Sequence, residues 1–253
     1  MYGLPVLILF FLGLYQFNNK YSQNTIQASN GILALSEEEL QKSPVRFLVS
    51  GWAFYPDALL TPEEIRDESH YMRYLSIGEQ TNFSSPANPS PYGCGTYQMT
   101  FFLPERKETY ALEIPEVFSA YNLYLDHDLI LQMGEPAQGT PLVQNRMVTF
   151  HGGKPVTLTI AVSNYDHFYG GIVYPPAFGT MLAVNTTRGI RFAFCLFSCT
   201  VTFVCALLSF YFSRRMNRKI HSCSADLPCH VRPVILSCAS YAGCGSRIPL
   251  VHD

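Results

Sequence analysis

Charged side chains are scarce in this chain, making up 14% of its 253 residues, against about a quarter in a typical soluble domain. Their signs are also unevenly placed. Up to residue 187 there are 9 Lys or Arg and 17 Asp or Glu, a net charge of −8, and from residue 188 onward there are 8 and 2, a net charge of +6. A nucleic-acid-binding protein needs a basic face on its folded part, so this distribution argues against that class. It suits an acidic domain on one side of a membrane and a basic segment on the other.

Cysteine is nearly missing from the larger part of the chain. Seven of the eight cysteines lie at or beyond Cys195, and only Cys94 precedes them. A disulfide framework in the earlier region is therefore impossible within one chain. The cysteines from Cys223 onward form no C-x-x-C pair, so their spacing does not favour a zinc site.

The familiar catalytic motifs are absent as well. The chain contains no G-x-S-x-G, H-E-x-x-H or Walker A pattern, and each would be needed for the corresponding chemistry. His151 and His167 have no second His or Cys at metal-ligand spacing. Paired carboxylates could hydrolyse a glycoside, and the candidates are Glu113, Glu116, Asp126 and Asp128. They are expected on strand edges and turns, where a carboxylate is ordinarily a solvated surface charge. We therefore predict no catalytic residue, no metal ligand and no cofactor.

The strongest pattern that is present lies between residues 94 and 134. Three runs there alternate between two faces, as half-buried strands do, and their first members on one face are Tyr97, Tyr110 and Tyr121. Short connections separate the runs, and Asp126-His127-Asp128 turns the chain into a fourth apolar segment. This spacing predicts an antiparallel meander.

Similar patterns on both sides of this stretch predict a mainly β fold. Residues 45–54 read as one strand, residues 155–162 alternate cleanly, and about eight strands fall between residues 45 and 184, at the spacing of an antiparallel β-sandwich or jelly roll. Capping boxes at Ser36 to Glu39 and Thr61 to Glu64 predict two short helices.

Two apolar segments flank the β region. The N-terminal run is too short for a comfortable span and suits a signal peptide or signal anchor. Residues 192–212 are 21 residues without a charge, enough to cross a bilayer, and four cations follow and predict a cytoplasmic end; they are Arg214, Arg215, Arg218 and Lys219. The predicted organisation is a signal segment (1–17), a linker (18–44), an extracytoplasmic β-sandwich (45–187), a transmembrane helix (190–212), and a basic segment with an unassigned tail (213–253).

Ligand contacts are expected in the loops that the strands carry. Asn164, His167 and Tyr169 follow a strand and precede a Gly-Gly pair, where sandwich loops form binding surfaces; the alternative is a turn that uses Asn and Gly for unusual backbone angles. Tyr55 is another candidate for ligand contact, since aromatic faces stack on sugar rings or apolar ligands; for the nearby Trp52, a core position is favoured. Within the meander, Tyr97 and Tyr121 are the two further candidates for ligand contact.

Four motifs in one order resemble the extracellular sensor domain of bacterial seven-transmembrane receptors with diverse intracellular signalling modules. They are W-x-F-Y-P-x-x-L-L (52–60), G-x-G-T-Y (93–97), I-P-x-x-x-S-A-Y-x-x-Y (114–124) and S-N…G-G-I (163–172). The resemblance implies a jelly roll similar to sugar-binding domains of glycoside hydrolases. That family carries an Asn-Gly hairpin where this chain has Asp126-His127-Asp128, and it continues through seven spans to a kinase or cyclase. The tail from residue 220 is unlike a second span, so we expect a truncated or frame-shifted product.

Together these patterns predict a sensing domain at the plasma membrane, single- or multi-pass, with the β domain outside. Its ligand would be a carbohydrate or another small molecule, and with no output module in the chain it would act through a homodimer or a separate signalling partner. The alternatives are a sugar-binding accessory domain of a cell-surface glycoside hydrolase and a surface adhesion domain.

Overall fold

The computed structural model describes residues 3–20, 25–67, 69–78, 83, 90–105 and 109–225. The chain divides into two compact units, Met1–Arg191 and Phe192–Asp253. The first unit holds the strands β1 (Thr25–Gln27), β2 (Ile32–Ala34), β3 (Val45–Ser50), β4 (Trp52–Pro56), β5 (Arg73–Leu75), β6 (Gly93–Phe102), β7 (Tyr110–Ile114), β8 (Ala120–Leu125), β9 (Asp128–Met133), β10 (Arg146–Phe150), β11 (Val156–Asn164) and β12 (Ala177–Thr180). The helices are α1 (Gly3–Asn18), α2 (Glu37–Lys42), α3 (Pro62–Asp67) and α4 (Met181–Ala225).

The strands form two sheets. Sheet A has the order β1-β3-β12-β7-β10, and sheet B has the order β5-β4-β6-β11-β8-β9, with β2 added beside β6. The pairs β1–β3 and β2–β6 are parallel, and the other ladders are antiparallel. The prediction of a mainly β fold with antiparallel sheets and one long apolar helix is therefore confirmed.

One hydrophobic core fills the space between the sheets. Sheet B contributes Trp52, Phe54, Met99, Phe101 and Ile160, and sheet A contributes Tyr110, Leu112, Ile114, Phe150 and Phe178. The core position favoured for Trp52 is confirmed, since its ring is fully buried and its Nε1 donates to the Leu48 carbonyl at 3.0 Å.

The predicted meander is wrong in its pairing, although its strands lie where the alternation placed them. β7 lies in sheet A, whereas β6, β8 and β9 lie in sheet B. β11 separates β6 from β8 and pairs with both, so among the four strands β6 to β9 only β8 and β9 form a hairpin. Alternation fixes which side chains point inward. It does not distinguish the two sheets of a sandwich, because both inner faces bury apolar groups in the same core.

The predicted strand over residues 45–54 is in fact two strands in different sheets. β3 pairs with β12 in sheet A and β4 pairs with β6 in sheet B, with Gly51 between them at φ +81°. A Cβ at Gly51 would lie 2.0 Å from the Ala28 carbonyl oxygen. Only glycine fits this corner. The described residues between 45 and 184 form ten strands, β3 to β12, rather than about eight.

The stretch predicted as a linker, residues 18–44, contains β1, β2 and α2. Its side chains Leu33, Leu35 and Leu40 belong to the main core. Both predicted capping boxes are present: the Ser36 hydroxyl accepts from the Glu39 N–H while Glu39 reaches back, and Glu64 Oε2 accepts from the Thr61 N–H at 2.7 Å.

α4 is the one helix in the described part of the chain that is long and apolar enough to cross a membrane, over Met181–Arg215. It follows β12 without an intervening residue. Its first turns cover the outer face of sheet A, where Ala183 and Val184 pack with Val45, Phe47 and Ala177. The N-terminal apolar run is helical as α1, and its role as a signal segment stays a prediction. Residues 226–253 of the predicted tail lie outside the described residues.

Candidate functional site

A concave pocket of about 520 Å³ opens on the outer face of sheet B beneath α3. We call it the α3 pocket. Its walls and floor are Pro62, Ile65, Arg66, Gln98, Thr100, Asp126, His127 and Thr157. Small-molecule sites occupy clefts of roughly 300–1,000 Å³, so this cleft has the capacity for a ligand of one or two sugar rings.

The floor of the α3 pocket is made of amide and hydroxyl groups. Because alternate residues of β6 and β11 point into the core, the residues between them face outward. Gln98 lies opposite Thr159, and Thr100 opposite Thr157. Gln98 Nε2 donates to Thr159 Oγ1 at 3.3 Å, and the Thr100 and Thr157 hydroxyl oxygens are 3.2 Å apart. These cross-strand bonds fix the orientation of the groups that a ligand would meet.

Two segments wall the pocket. α3, held by its capping box, supplies Pro62, Ile65 and Arg66. The turn between β8 and β9 supplies Asp126, which has φ +53° and whose Oδ1 accepts from the Thr157 N–H at 2.8 Å. His127 Nδ1 lies 2.9 Å from Glu63 Oε1. This contact ties the turn to α3 across the mouth of the pocket.

The charged groups around the α3 pocket have partners within the protein. Arg66 Nε donates to Asp67 at 2.8 Å. A hydrogen bond to its own backbone and one to His127 lower the pKa of Glu63, so this carboxylate is ionised at neutral pH. A glycosidase general acid needs the opposite shift. The arrangement is suited to recognising a neutral, hydroxylated molecule through hydrogen bonds.

Tyr55, a predicted ligand contact, lies beside this floor. Its hydroxyl donates to Gln98 Oε1 at 3.4 Å, and its ring meets the His70 ring edge-on, with centroids 6.4 Å apart. Burial raises the pKa of Tyr55, which keeps the hydroxyl protonated and able to donate. Tyr55 orients Gln98 rather than lining the pocket itself.

Tyr97 and Tyr121, the other two predicted tyrosines, lie in the core between the sheets. Burial raises the pKa of each to about 12. The Tyr97 hydroxyl hydrogen-bonds to the backbone of Ile172, while the Tyr121 hydroxyl is buried without a partner among the described residues. Neither ring presents a surface to an outside ligand, so neither belongs to the candidate site.

Asn164, His167 and Tyr169, whose role as ligand contacts stays a prediction, lie together at the end of sheet B opposite the α3 pocket. Asn164 is fully buried; its amide donates to the Pro91 carbonyl at 2.8 Å and accepts from the His167 N–H at 3.0 Å. These bonds give Asn164 the turn-forming role that was the alternative interpretation. His167 Nδ1 accepts from the Tyr169 N–H at 3.0 Å, so Nε2 carries the proton of the neutral ring.

Around these loops lies a group of rings, which we call the aromatic loop surface: Phe118 and His167 are half-buried, and Phe168, Tyr169 and Tyr174 are exposed. His167 stacks on Phe118 with centroids 4.7 Å apart and an interplanar angle of 9°. Tyr169 and Tyr174 flank Phe118 at 6.1 and 6.5 Å. Phe168 is 74% exposed. The five rings are therefore in contact with one another as one cluster.

Sequence reasoning missed the floor of the α3 pocket. The signal was present, since Gln98 and Thr100 are polar positions in one alternating run and Thr157 in another. Recognising a site required knowing that β6 and β11 are neighbours, and their separation in the chain concealed this. The sequence marks Asp126 as a candidate carboxylate and Asp126-His127-Asp128 as a turn that differs from the sensor family's hairpin, but it does not place this turn beside Thr157.

The remaining predicted positions concern metals and membrane orientation. Within the described ranges no group of three His, Cys, Asp or Glu side chains lies close enough to share a metal ion. Arg214 and Arg215 are exposed on α4. The backbone at Arg218 and Lys219 is helical, and the structure does not describe their side chains. Their role in orientation stays a prediction.

No protein-family model matches this chain, and no curated protein does. Solved structures to which part of this chain is similar include a β-glucuronidase of Faecalibacterium prausnitzii (15% identity, TM-score 0.41, covering 55% of this chain and 32% of that one). A family 2 glycosyl hydrolase from Bacteroides cellulosilyticus is 10% identical, with TM-score 0.44 and coverage of 54% and 20%. A Ruminococcus gnavus β-glucuronidase is 12% identical, with TM-score 0.39 and coverage of 61% and 30%. The chain spans about a third or less of these enzymes, and a likeness at this level carries no functional argument.

Proposed function

We propose that this protein is a membrane-anchored, extracytoplasmic domain that binds a small neutral hydroxylated molecule, such as a carbohydrate, in the α3 pocket without transforming it. The observation that carries the proposal is the pocket itself. It is a cleft of about 520 Å³ on a rigid sheet, floored by amide and hydroxyl groups and bordered by charges that are already partnered.

The chemistry of the floor selects the ligand class. The Gln98 amide both donates and accepts, and the Thr100 and Thr157 hydroxyls do the same, which matches a molecule carrying several hydroxyl groups. Pro62 and Ile65 add an apolar wall that suits the C–H face of a sugar ring. The Asp126 carboxylate provides a strong acceptor for a ligand hydroxyl.

The proposed location follows from charge and hydropathy. The uncharged run 192–212 is long enough to span a bilayer, and cations follow it at Arg214, Arg215, Arg218 and Lys219. Cytoplasmic flanks are enriched in Lys and Arg, so we infer that the strands lie outside the cell.

Within this function we favour the sensor domain of a signalling receptor, with a jelly-roll sandwich as its fold, over an accessory or adhesion domain. The specific support is the junction of β12 and α4, which has no linker, together with the packing of Val184 against sheet A. A ligand with different affinity for two arrangements of the sandwich would bias the helix through this junction. Signalling would require a further partner or a second copy.

Binding is tested on the full chain in detergent micelles, by calorimetric titration and thermal unfolding against neutral mono- and disaccharides and polyols. A ligand at 100 times its Kd should stabilise the fold by about 2.7 kcal/mol. Gln98→Met and Thr157→Val preserve shape and remove the polar groups, so each should weaken binding roughly tenfold or more. Thr140→Val, an exposed loop position, is the matched control and should leave affinity unchanged.

Two outcomes contradict the proposal. Absence of binding across the panel removes the function, and binding that survives both pocket substitutions moves the site elsewhere. The sensor interpretation has its own test: hydrogen exchange of residues 181–191 should slow or quicken when ligand binds, whereas an accessory domain predicts no change there.

A further inference from the structure

The aromatic loop surface is not explained by the α3 pocket, which lies at the other end of sheet B. Phe168 is 74% exposed, Tyr169 44% and Tyr174 39%. The loops that carry them are closely packed against the sandwich. Gly170 and Gly171 leave no room for a Cβ beside the Pro91 carbonyl and the Tyr97 hydroxyl, and the Gly171 N–H donates to Ser119 Oγ at 3.1 Å. Exposed aromatic rings clustered on closely packed loops indicate a contact surface.

The topology brings this surface to the end of the sandwich where α4 leaves it. β12 runs from Ala177 to Thr180, and α4 starts at the far end, directly after Thr180. Arg191 lies over the Phe47 ring at 5.0 Å, and Phe47 pairs with Ala177. The first turns of α4 therefore run back along sheet A, opposite in direction to β12. Arg191 lies near Ala177, the first residue of β12. Tyr174 is separated from Ala177 only by Pro175 and Pro176, and Phe118 and His167 lie in the neighbouring loops.

Lys20, just beyond α1, connects the two features. Its Nζ lies 5.7 Å above the Tyr174 ring. Burial, and then the nearby charge of Arg191, lower the pKa of Lys20. Arg191 is the last residue of the first unit, and the uncharged run begins at Phe192. If that run crosses a bilayer, the aromatic loop surface is close to the membrane boundary.

We propose that the aromatic loop surface rests in the interfacial layer of the bilayer, with Phe168 inserted among the lipid head groups and Tyr169 and Tyr174 at their level. Tyrosine and other amphipathic rings favour this layer. The exposed carboxylates Glu116 and Asp166 on the same loops favour zwitterionic over anionic lipid. The inference rests on the membrane anchoring in the proposed function and is independent of ligand binding.

The test places a tryptophan at the surface and measures its contact with lipid. The natural Trp52 is fully buried and provides a constant background. Full-length Phe168→Trp is reconstituted into phosphatidylcholine nanodiscs whose acyl chains carry bromine close to the head group. The control is Leu129→Trp on β9, an exposed position (49%) beside the turn at the opposite end of sheet B.

Quenching of the Phe168→Trp fluorescence should be roughly twofold or more stronger than that of Leu129→Trp, with a blue-shifted emission. Equal quenching in the two variants overturns the proposal. Failure of the chain to enter nanodiscs overturns it too, together with the anchoring. Loss of sugar binding in the Gln98 and Thr157 variants bears on the α3 pocket alone, so the two proposals fail separately.

Replacing phosphatidylcholine by an anionic lipid should not increase the quenching, and a marked increase would contradict the interfacial mode proposed.

Discussion

Tyr97 and Tyr121 are both buried in the core, but the surroundings of their hydroxyl oxygens differ. The rings of Tyr97 and Tyr121 are both enclosed between the sheets. The Tyr97 hydroxyl has a partner in the backbone of Ile172, whereas the Tyr121 hydroxyl has none among the residues described. A buried polar group without a hydrogen bond costs about 1–3 kcal/mol. The Tyr97 hydroxyl therefore stabilises the fold, and the Tyr121 hydroxyl destabilises it.

Removing each hydroxyl should separate these contributions. Tyr121→Phe should leave the free energy of unfolding unchanged or raise it by about 1 kcal/mol, because it deletes an unpaired group. Tyr97→Phe should lower it by about 1–2 kcal/mol, because it leaves backbone unpaired. Denaturant unfolding of the full chain in micelles measures both. A larger loss of unfolding free energy in Tyr121→Phe than in Tyr97→Phe would contradict the assignment of the Tyr121 hydroxyl as the unpaired one.

At the residue scale, the sequence could predict which side chains point inward. Tyr110, Leu112 and Ile114 are buried as their alternation predicts, because the strand period follows from backbone geometry. It could not predict that the outward Gln98, Thr100 and Thr157 share one pocket floor. That depends on two strands more than fifty residues apart lying side by side, and the pairing register sets it.

At the scale of elements, the corner at Gly51 determines how the chain divides between the sheets. Gly51 has φ +81°, its carbonyl accepts from the Gly31 N–H at 2.9 Å, and Ala28 closes over its Cα. β3 and β4 thus leave the corner into different sheets, and the preceding loop is held against it. The run of apolar residues through this point contained no other signal of a break.

Gly51→Ala should destabilise the fold by about 2–4 kcal/mol, because a methyl group there meets a carbonyl oxygen and the φ angle is strained. Gly189→Ala is the matched control: nothing lies within 4 Å of its added Cβ, and alanine favours a helix over glycine by about 1 kcal/mol. Thermal unfolding of the two variants under one condition measures the difference. Equal stability of Gly51→Ala and the parent would show that the corner is not constrained.

The sequence predicts where the strands lie along the chain, but it does not predict which strands pair with each other. β6, β7, β8 and β9 lie where the alternation and turns placed them, yet β7 crosses to sheet A. Short connections favour pairing between consecutive strands. Here β11 takes the position between β6 and β8 because almost every one of its residues is buried, which an edge position would not permit.

For the whole molecule, the main revision concerns where the sandwich begins. The stretch 18–44 lacks a long periodic pattern, and its polar composition favours a linker. Short strands such as β1 and β2 bury too few residues to reveal themselves by alternation. Leu33, Leu35 and Leu40 nevertheless enter the core shared by both sheets, so this stretch is part of the fold that holds the α3 pocket.

Leu33→Ala and Leu40→Ala should therefore each lower the free energy of unfolding by about 2–5 kcal/mol, the usual cost of a leucine-sized cavity. Ile32→Ala is the matched control, since Ile32 belongs to the same strand as Leu33 and is 47% exposed; its cost should be about 0.5 kcal/mol. Both core variants should also lower the midpoint of the single transition that unfolds Trp52, detected by its fluorescence. If Leu33→Ala and Ile32→Ala cost the same, residues 18–44 act as a tether and the sandwich is complete without them. A selective loss in the two leucine variants would instead place the start of the cooperative unit upstream of β3.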